Sequence, residues 1–192
     1  MTDLEPYSFV FRGQLTEAAL DRAGRRTRYD LSASAEELRR ILGIDVLDIG
    51  YVADAERMSF VYIAVAAFEN SVRDLISRVL ADAVGEAWWD TCVPDRVRTA
   101  AKNRQEAEEK VRWHVQRGED PIGYTMLPNL ASIIENNFDK FEPYLHNMTW
   151  VKSVFEVVER SRNVIMHSGT LSERDMARLG SLIRDWNSQV AI

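Results

Sequence analysis

The sequence predicts an all-α fold, an antiparallel helical bundle preceded by a short N-terminal extended arm. Apolar residues recur at three- and four-residue steps over most of the chain, capping signals open several of these runs, and glycines close them. At 192 residues, with 46% hydrophobic and 28% charged residues, the chain has the size and composition of one globular domain with a substantial core. We therefore expect an arm over residues 1–30 and a helical domain over residues 31–192.

Charge and cysteine content limit the classes of function. Thirty acidic and 24 basic residues give a net charge of −6, so an RNA site must be a local basic patch, and DNA readout is not expected. Cys92 has no partner for an internal disulfide, which suits a reducing cytoplasm. No apolar run is long enough to cross a bilayer, and the first residues lack the pattern of a signal peptide. We expect a cytoplasmic protein without membrane contacts.

The N-terminal arm contains two candidate elements. Residues 7–12 are aromatic and β-prone, which favours a short strand or an extended segment, and residues 14–23 are compatible with a short helix. The basic residues that follow are compatible with a solvated loop or with an RNA-contacting patch. They are Arg22, Arg25, Arg26 and Arg28.

The first two helices of the domain are predicted from their ends. A capping box at residues 34–37 opens a short helix, which we expect to end at Gly43. The longest helical pattern of the chain then runs from about residue 54 to residue 84 and is closed by Gly85. Its apolar stripe contains a single charge, Glu69.

The next predicted helix starts at Pro94 and reaches Arg117, just before Gly118. It is unusually polar, because seven basic and four acidic residues lie between Pro94 and Arg117. Arg98 and Lys102 share one face, since they are four positions apart. A solvated helix face explains this pattern, and so does a surface that follows an RNA backbone.

The last third of the chain predicts three or four more helices. One or two short ones are expected over residues 127–145, with a break near Asn136 or at Pro143. Thr149 is the candidate cap of the following helix. A capping box at residues 172–175 opens the last helix.

The helix expected over residues 150–165 carries an arginine on its apolar stripe. Val158 and Ile165 lie four and three positions from Arg162, so we expect Arg162 to be buried. A buried arginine needs a charged partner, or it must face a pocket or a second subunit. Glu69 is the matching charge on the longest helix, so we predict a bidentate Glu69–Arg162 ion pair, either as a structural core pair or as part of a site.

A histidine follows at the end of this helix. His167 is five residues after Arg162, so the two side chains share a face only if the helix ends at His167. Gly169, just past His167, is a candidate C′ glycine and supports an end there. Arginine and histidine together suit metal-free RNA cleavage, because an imidazole can transfer protons and a guanidinium stabilises charge on phosphorus. His114, His146 and His167 are not spaced as metal ligands, so neither a metal nor another cofactor is expected.

Arg162 and Asn163, followed by His167, resemble the motif of the HEPN superfamily (higher eukaryotes and prokaryotes nucleotide-binding). The resemblance covers roughly residues 31–190. It is closest to the branch found fused to a nuclear mRNA-surveillance endonuclease and, in bacteria, in defence-associated proteins. The segments that support it are residues 66–73, 88–89, 93–94 and 137–141.

This resemblance implies a HEPN-like bundle and a metal-independent endoribonuclease, a toxin or antiphage effector that leaves 2′,3′-cyclic phosphate and 5′-hydroxyl ends. It also implies a homodimer in which the two Arg–His motifs meet. Arg162 would stabilise the phosphate, His167 would transfer protons, and Asn163 would have an orienting role. Glu69 would position Arg162. The predicted RNA-binding residues are Arg98, Lys102, Arg73 and Arg160.

A second function class fits the same residues. It is a non-catalytic HEPN module that binds RNA or a nucleotide, or that serves as a dimerisation or interaction subunit of a defence system. In either class the expected partners are a second copy, RNA, and a cognate antitoxin or defence-system protein. Some HEPN toxins carry a tyrosine two residues after the histidine, where a partner enzyme attaches adenylate. Gly169 stands there in this chain, so that control is not expected.

Overall fold

A computed structural model describes Thr16 and residues 35–190, and these residues form an all-α structure with no strand among them. The all-α prediction is therefore confirmed for this part of the chain. The predicted strand of the arm, its four arginines, the cap at Ser34 and all of the predicted arm helix except Thr16 lie outside the described residues. The chain divides into two compact units, Met1–Ile49 and Gly50–Ile192. The boundary expected at residue 30 stays a prediction.

In the first unit, the described residues include α1 (Ala35–Ile41) and a 3₁₀ turn (Ile44–Val46). Gly43 between them has a φ of 64°, which glycine adopts without steric cost, so the expected stop at this glycine is confirmed. Neither element contains a buried residue.

The longest helix, α2 (Ile49–Val84), begins before its predicted start and ends before Gly85, as predicted. Its first buried residue is Met58. Since apolar periodicity comes from burial, the pattern in the sequence begins only after the helix itself has begun.

The helix predicted to reach Arg117 is shorter than expected. It is α4 (Asp95–Glu109), and after it the chain turns back until Arg117 Nε lies 2.7 Å from the Oε1 atom of Glu108. That contact requires a turn between the two residues, so the predicted helix end was wrong. The elements around α4 are α3 (Trp88–Cys92), a second 3₁₀ turn (Pro121–Tyr124), α5 (Leu127–Asn136) and α6 (Phe138–Phe141).

The break predicted near Asn136 is confirmed, since α5 ends there and α6 begins at Phe138. The next helix, α7 (Met148–Met166), is capped by Asn147 rather than Thr149. The Asn147 side chain accepts a hydrogen bond of 2.9 Å from the Trp150 N–H. Asparagine caps a helix at least as well as threonine, and this one stands two residues earlier.

The last helix, α8 (Glu173–Val190), has the cap that the sequence predicts. The Ser172 hydroxyl accepts from the Asp175 N–H at 3.2 Å and donates to the Asp175 carboxylate at 2.6 Å. In the part of the chain that is described, no helix is long and apolar enough to cross a membrane.

The core of the second unit is centred on Trp186 of α8, which is fully buried. Its ring lies 5.4 Å from both Phe68 of α2 and Phe155 of α7, measured between ring centroids, and Trp150 stacks on it at 5.7 Å. Aromatic pairs at these distances add to the stability that burial of the rings already provides. They fix α2, α7 and α8 side by side and thereby position the charged residues on α2 and α7.

Candidate functional site

Glu69 on α2 lies between two arginines, and each arginine takes one of its oxygens. Arg162 Nε on α7 is 3.5 Å from Glu69 Oε1, and Arg73 Nη2 is 3.1 Å from Glu69 Oε2. The prediction that Glu69 and Arg162 face each other is confirmed. The predicted bidentate geometry is wrong, because Arg73, one turn further along α2, occupies the second oxygen. We call these three residues the Glu69 cluster.

Arg162 is less buried than its apolar neighbours in the sequence suggest. Its side chain is 38% exposed, whereas that of Glu69 is 15% exposed. The core position on this turn of α7 is taken by Ser161, which is 6% exposed. Its hydroxyl donates to the Val157 carbonyl at 2.9 Å, so a polar side chain is satisfied within its own helix. Arg162 therefore stands at the edge of the core.

Arg73 connects the Glu69 cluster to the segment before α5. It donates to the Asn70 side chain at 2.9 Å and to the Thr125 carbonyl at 3.0 Å, in addition to Glu69. Its side chain is only 15% exposed, and its Nε atom is buried with no partner in the described part of the chain. These contacts make Arg73 a positioning residue for Glu69. Its contact with RNA stays a prediction.

The outer half of the Arg162 guanidinium is open. Its two terminal nitrogens make no ion pair or hydrogen bond with any described residue, since Glu69 is reached by the Nε atom. Two guanidiniums and one carboxylate leave the cluster with one positive charge in excess, in a chain whose net charge is negative. A planar pair of free donors beside an excess positive charge can bind a phosphate or a carboxylate in a bidentate manner.

The end of α7 is a Schellman motif with His167 as the helix cap. The Ser168 N–H donates to the Ile165 carbonyl at 3.1 Å, and the Gly169 N–H donates to the Val164 carbonyl at 2.8 Å. The predicted helix end is confirmed, but the residue in the left-handed conformation is Ser168, with a φ of 59°, rather than Gly169.

Gly169 is required because position 169 has no room for a side chain. A Cβ atom at this position would lie 2.8 Å from Val164 Cγ1 and 2.9 Å from the Val164 carbonyl oxygen. Any side chain here therefore forces the chain after His167 to move. The close approach of Gly169 to Val164 therefore fixes the path of the backbone just after His167.

Polar and apolar side chains are both exposed at this helix end. Asn163 and His167 are exposed and have no side-chain hydrogen bond within the described residues. Met166, four residues after Arg162, is 56% exposed. Because the Leu171 N–H lies 3.3 Å from Met58 Sδ, α7 runs antiparallel to α2 towards its N-terminal half. There Tyr62, two helical turns before Glu69 and on the same face, is 55% exposed.

Arg98 and Lys102 lie in a second charged region, an open cleft of about 690 Å³ beside α3 and α4. Arg98 donates to the Asp90 carbonyl at 2.9 Å and forms ion pairs with Asp90 and Asp95. The hydrogen bond to Asp95 raises the pKa of Arg98 above its usual value. Lys102 is exposed and lies 3.7 Å from Glu106. The structure thus does not bring these residues to the Glu69 cluster, and their contact with RNA stays a prediction.

Arg160 is also exposed, and its Nη2 atom is 2.5 Å from Glu156 Oε1 on the same helix. Its predicted contact with RNA is likewise untested. No three His, Cys, Asp or Glu side chains come together as a metal site within residues 35–190.

Two features of the site were missed at the level of sequence. The pairing of Glu69 with Arg73 has a signal, since the two are four residues apart on one helix. No signal in the sequence distinguishes the buried Ser161 from an exposed serine. No protein-family model, curated protein or solved structure matches the chain. The resemblance to the HEPN superfamily therefore rests on the residues of the sequence alone.

Proposed function

We propose that the chain is a metal-independent endoribonuclease of HEPN type, a toxin or antiphage effector that acts in the cytoplasm. The observation that carries the proposal is the Arg162 guanidinium, whose Nε atom is paired with Glu69 at 3.5 Å while its two terminal nitrogens have no partner among the described residues. A donor held in place before substrate arrives stabilises transition-state charge without having to reorganise. A cognate antitoxin or a defence-system protein would be the further partner.

The reaction moves two protons and exchanges one bond at phosphorus. The 2′-hydroxyl loses its proton and its oxygen attacks phosphorus, the bond from phosphorus to the 5′-oxygen breaks, and that oxygen takes up a proton. The products are a 2′,3′-cyclic phosphate and a 5′-hydroxyl. His167 transfers one of these protons, Arg162 donates to the non-bridging oxygens, and Asn163 orients the phosphate.

A homodimer completes the site, because one imidazole does not readily remove one proton and deliver the other in the same step. Exposed apolar side chains beside the Glu69 cluster support association at this face. On α2, Tyr62 is 55% exposed, and on α7, Met166 is 56% exposed. Contacts between two copies at this face would bring the two α7 ends together.

The test is cleavage of end-labelled RNA by the wild-type protein and by His167→Ala, with product ends mapped and EDTA present. His167→Ala should abolish cleavage and leave the circular dichroism spectrum and RNA affinity near wild type, because the side chain is exposed. His146→Ala is the matched control, since His146 is also an exposed histidine, located just before α7. It should cleave like the wild type.

Two results would count against the proposal. Wild-type protein that binds structured and unstructured RNA without releasing cyclic-phosphate ends would make the chain a binding module, with Arg162 as a phosphate clamp. A protein that light scattering finds monomeric at micromolar concentration, with and without RNA, would contradict the composite site.

A further inference from the structure

The segment after α4, residues 110–117, combines basic and apolar side chains, and every residue in it is exposed. We call it the basic loop. It contains Lys110, Arg112, His114 and Arg117 and no acidic residue. In a chain with a net charge of −6, this is a local concentration of positive charge.

Three apolar side chains alternate with the basic ones. Trp113 is 86% exposed, Val115 is 88% exposed, and Val111 is 37% exposed. Among the described residues, the Trp113 ring makes one aromatic contact, a T-shaped contact with the neighbouring His114 ring with centroids 5.7 Å apart. An exposed tryptophan between cations is a typical platform for stacking a base.

The base of the loop is firmly held. The Arg117 side chain reaches Glu108 at 2.7 Å, and its guanidinium lies 5.7 Å from the centre of the Tyr124 ring. The Tyr124 hydroxyl donates to the Gly118 carbonyl at 3.0 Å. Burial raises the pKa of Tyr124, so the phenol keeps the proton that this hydrogen bond needs. Arg117 is thus a structural residue of the loop.

The other two cations are free. Lys110 and Arg112 form no ion pair within the described residues. The nearby carboxylate of Glu108 is paired with Arg117 instead. The loop therefore presents an uncovered aromatic ring flanked by two unpaired positive charges, on an anchored base.

We propose that the basic loop binds single-stranded RNA, with Trp113 stacked on a base and with Lys110 and Arg112 on the neighbouring phosphates. A single strand is specified because the base faces of a duplex are already covered by stacking. A protein partner would use the apolar side chains but would not need two free cations around the ring. The inference rests on the proposed function for its choice of RNA as the ligand.

The experiment measures fluorescence anisotropy of a labelled, unstructured oligouridine in the His167→Ala background, where cleavage does not interfere. Trp113→Ala should weaken binding about 10-fold, and Trp113→Phe should retain most of the affinity, because an aromatic face still stacks. Val115→Ala is the matched control, an equally exposed apolar residue of the same loop, and it should bind within about twofold of the parent.

The charges are tested separately by salt dependence. A Lys110→Gln, Arg112→Gln double variant should lower the slope of log K against log salt by about 1.4, because each phosphate of a single strand that is no longer neutralised lowers it by about 0.7. A duplex of the same length should bind the parent and Trp113→Ala equally well.

The outcomes separate this inference from the proposed function. Unchanged affinity in Trp113→Ala with an unchanged salt slope in the double variant overturns the loop proposal, even if the wild type cleaves RNA. An equal loss in Val115→Ala and Trp113→Ala also overturns it, because the contact is then apolar rather than stacking. Loss in Trp113→Ala, with a wild type that never cleaves, supports the loop and rejects the nuclease.

Discussion

In two regions of the second unit, one charged side chain is shared by two partners of opposite sign, and the proportions of arginine to carboxylate differ. In the cleft beside α4, one arginine, Arg98, is shared by Asp90 and Asp95. In the Glu69 cluster, one carboxylate is shared by Arg73 and Arg162. The three charged side chains around Arg98 therefore have one negative charge in excess, and the Glu69 cluster has one positive charge in excess.

Exposure does not separate these two regions. The Arg98 side chain is 32% exposed and that of Arg162 is 38% exposed. What differs is how the donors are used, because both terminal nitrogens of Arg98 are occupied and those of Arg162 are free of described partners. An accessible arginine is thus a candidate anion site only when its partners leave its two terminal nitrogens free.

The largest expected effect compares the two arginines directly. Arg162→Ala should reduce the single-turnover cleavage rate about 10²- to 10³-fold, the usual loss when one donor to a developing anion is removed. Arg98→Ala should cleave at nearly the wild-type rate, because its donors are bound by Asp90 and Asp95. Similar losses of cleavage rate in both variants would show that the unoccupied terminal nitrogens of Arg162 do not give it a role that Arg98 lacks.

The next effect concerns the stability of the folded chain. Glu69→Ala leaves Arg73 without its carboxylate, and Arg73 is largely buried, so the free energy of unfolding in urea should fall by about 2–3 kcal/mol. Asp90→Ala removes an exposed carboxylate from the cleft and should leave the urea midpoint unchanged. A normal midpoint for Glu69→Ala would mean that Glu69 is not holding the two arginines.

A smaller effect concerns the end of α7, the helix that carries Arg162 of the Glu69 cluster. Gly169→Ala forces a Cβ atom against Val164 and should cost about 1–2 kcal/mol of stability, as overpacking usually does. Cleavage should fall as well, because His167 moves relative to Arg162. Gly180→Ala on α8 is the control, since its Cβ would meet only the flexible end of the Arg184 side chain, at 3.3 Å. Equal melting curves for both variants would contradict the tight fit.

The sequence was sufficient to predict that α2 and α7 meet at a charge pair. Each helix carries one charge on an apolar stripe, and such charges need each other when the stripes pack together. The sequence does not predict in the same way which residues of α7 face the core, that is, how the helix is rotated about its axis. Ser161 is polar, but it can be buried because its own helix accepts its hydrogen bond, and this moves Arg162 to the edge of the core.

The end of α4 shows a second limit. No glycine or proline stands between Glu109 and Gly118, so the sequence contains no strong stop signal for the helix before Gly118. The stop is imposed by contacts of Arg117 with Glu108 and with Tyr124, which form only when the chain turns back. Tertiary contacts of this kind outweigh propensity, and they created the basic loop from what the sequence presents as a helix.

The hydrogen bond from Arg73 to the Thr125 carbonyl completes a continuous chain of contacts between the basic loop and the Glu69 cluster. Arg117 lies against Tyr124, Thr125 is the next residue, and Arg73 holds both Thr125 and Glu69. If a strand bound at the basic loop displaces Tyr124, these contacts would carry the shift to the carboxylate that orients Arg162. Such a coupling would act in both directions, so that a phosphate bound to Arg162 would change the affinity of the loop by the same factor. One RNA molecule long enough to reach both would be held at two places whose binding energies are not independent.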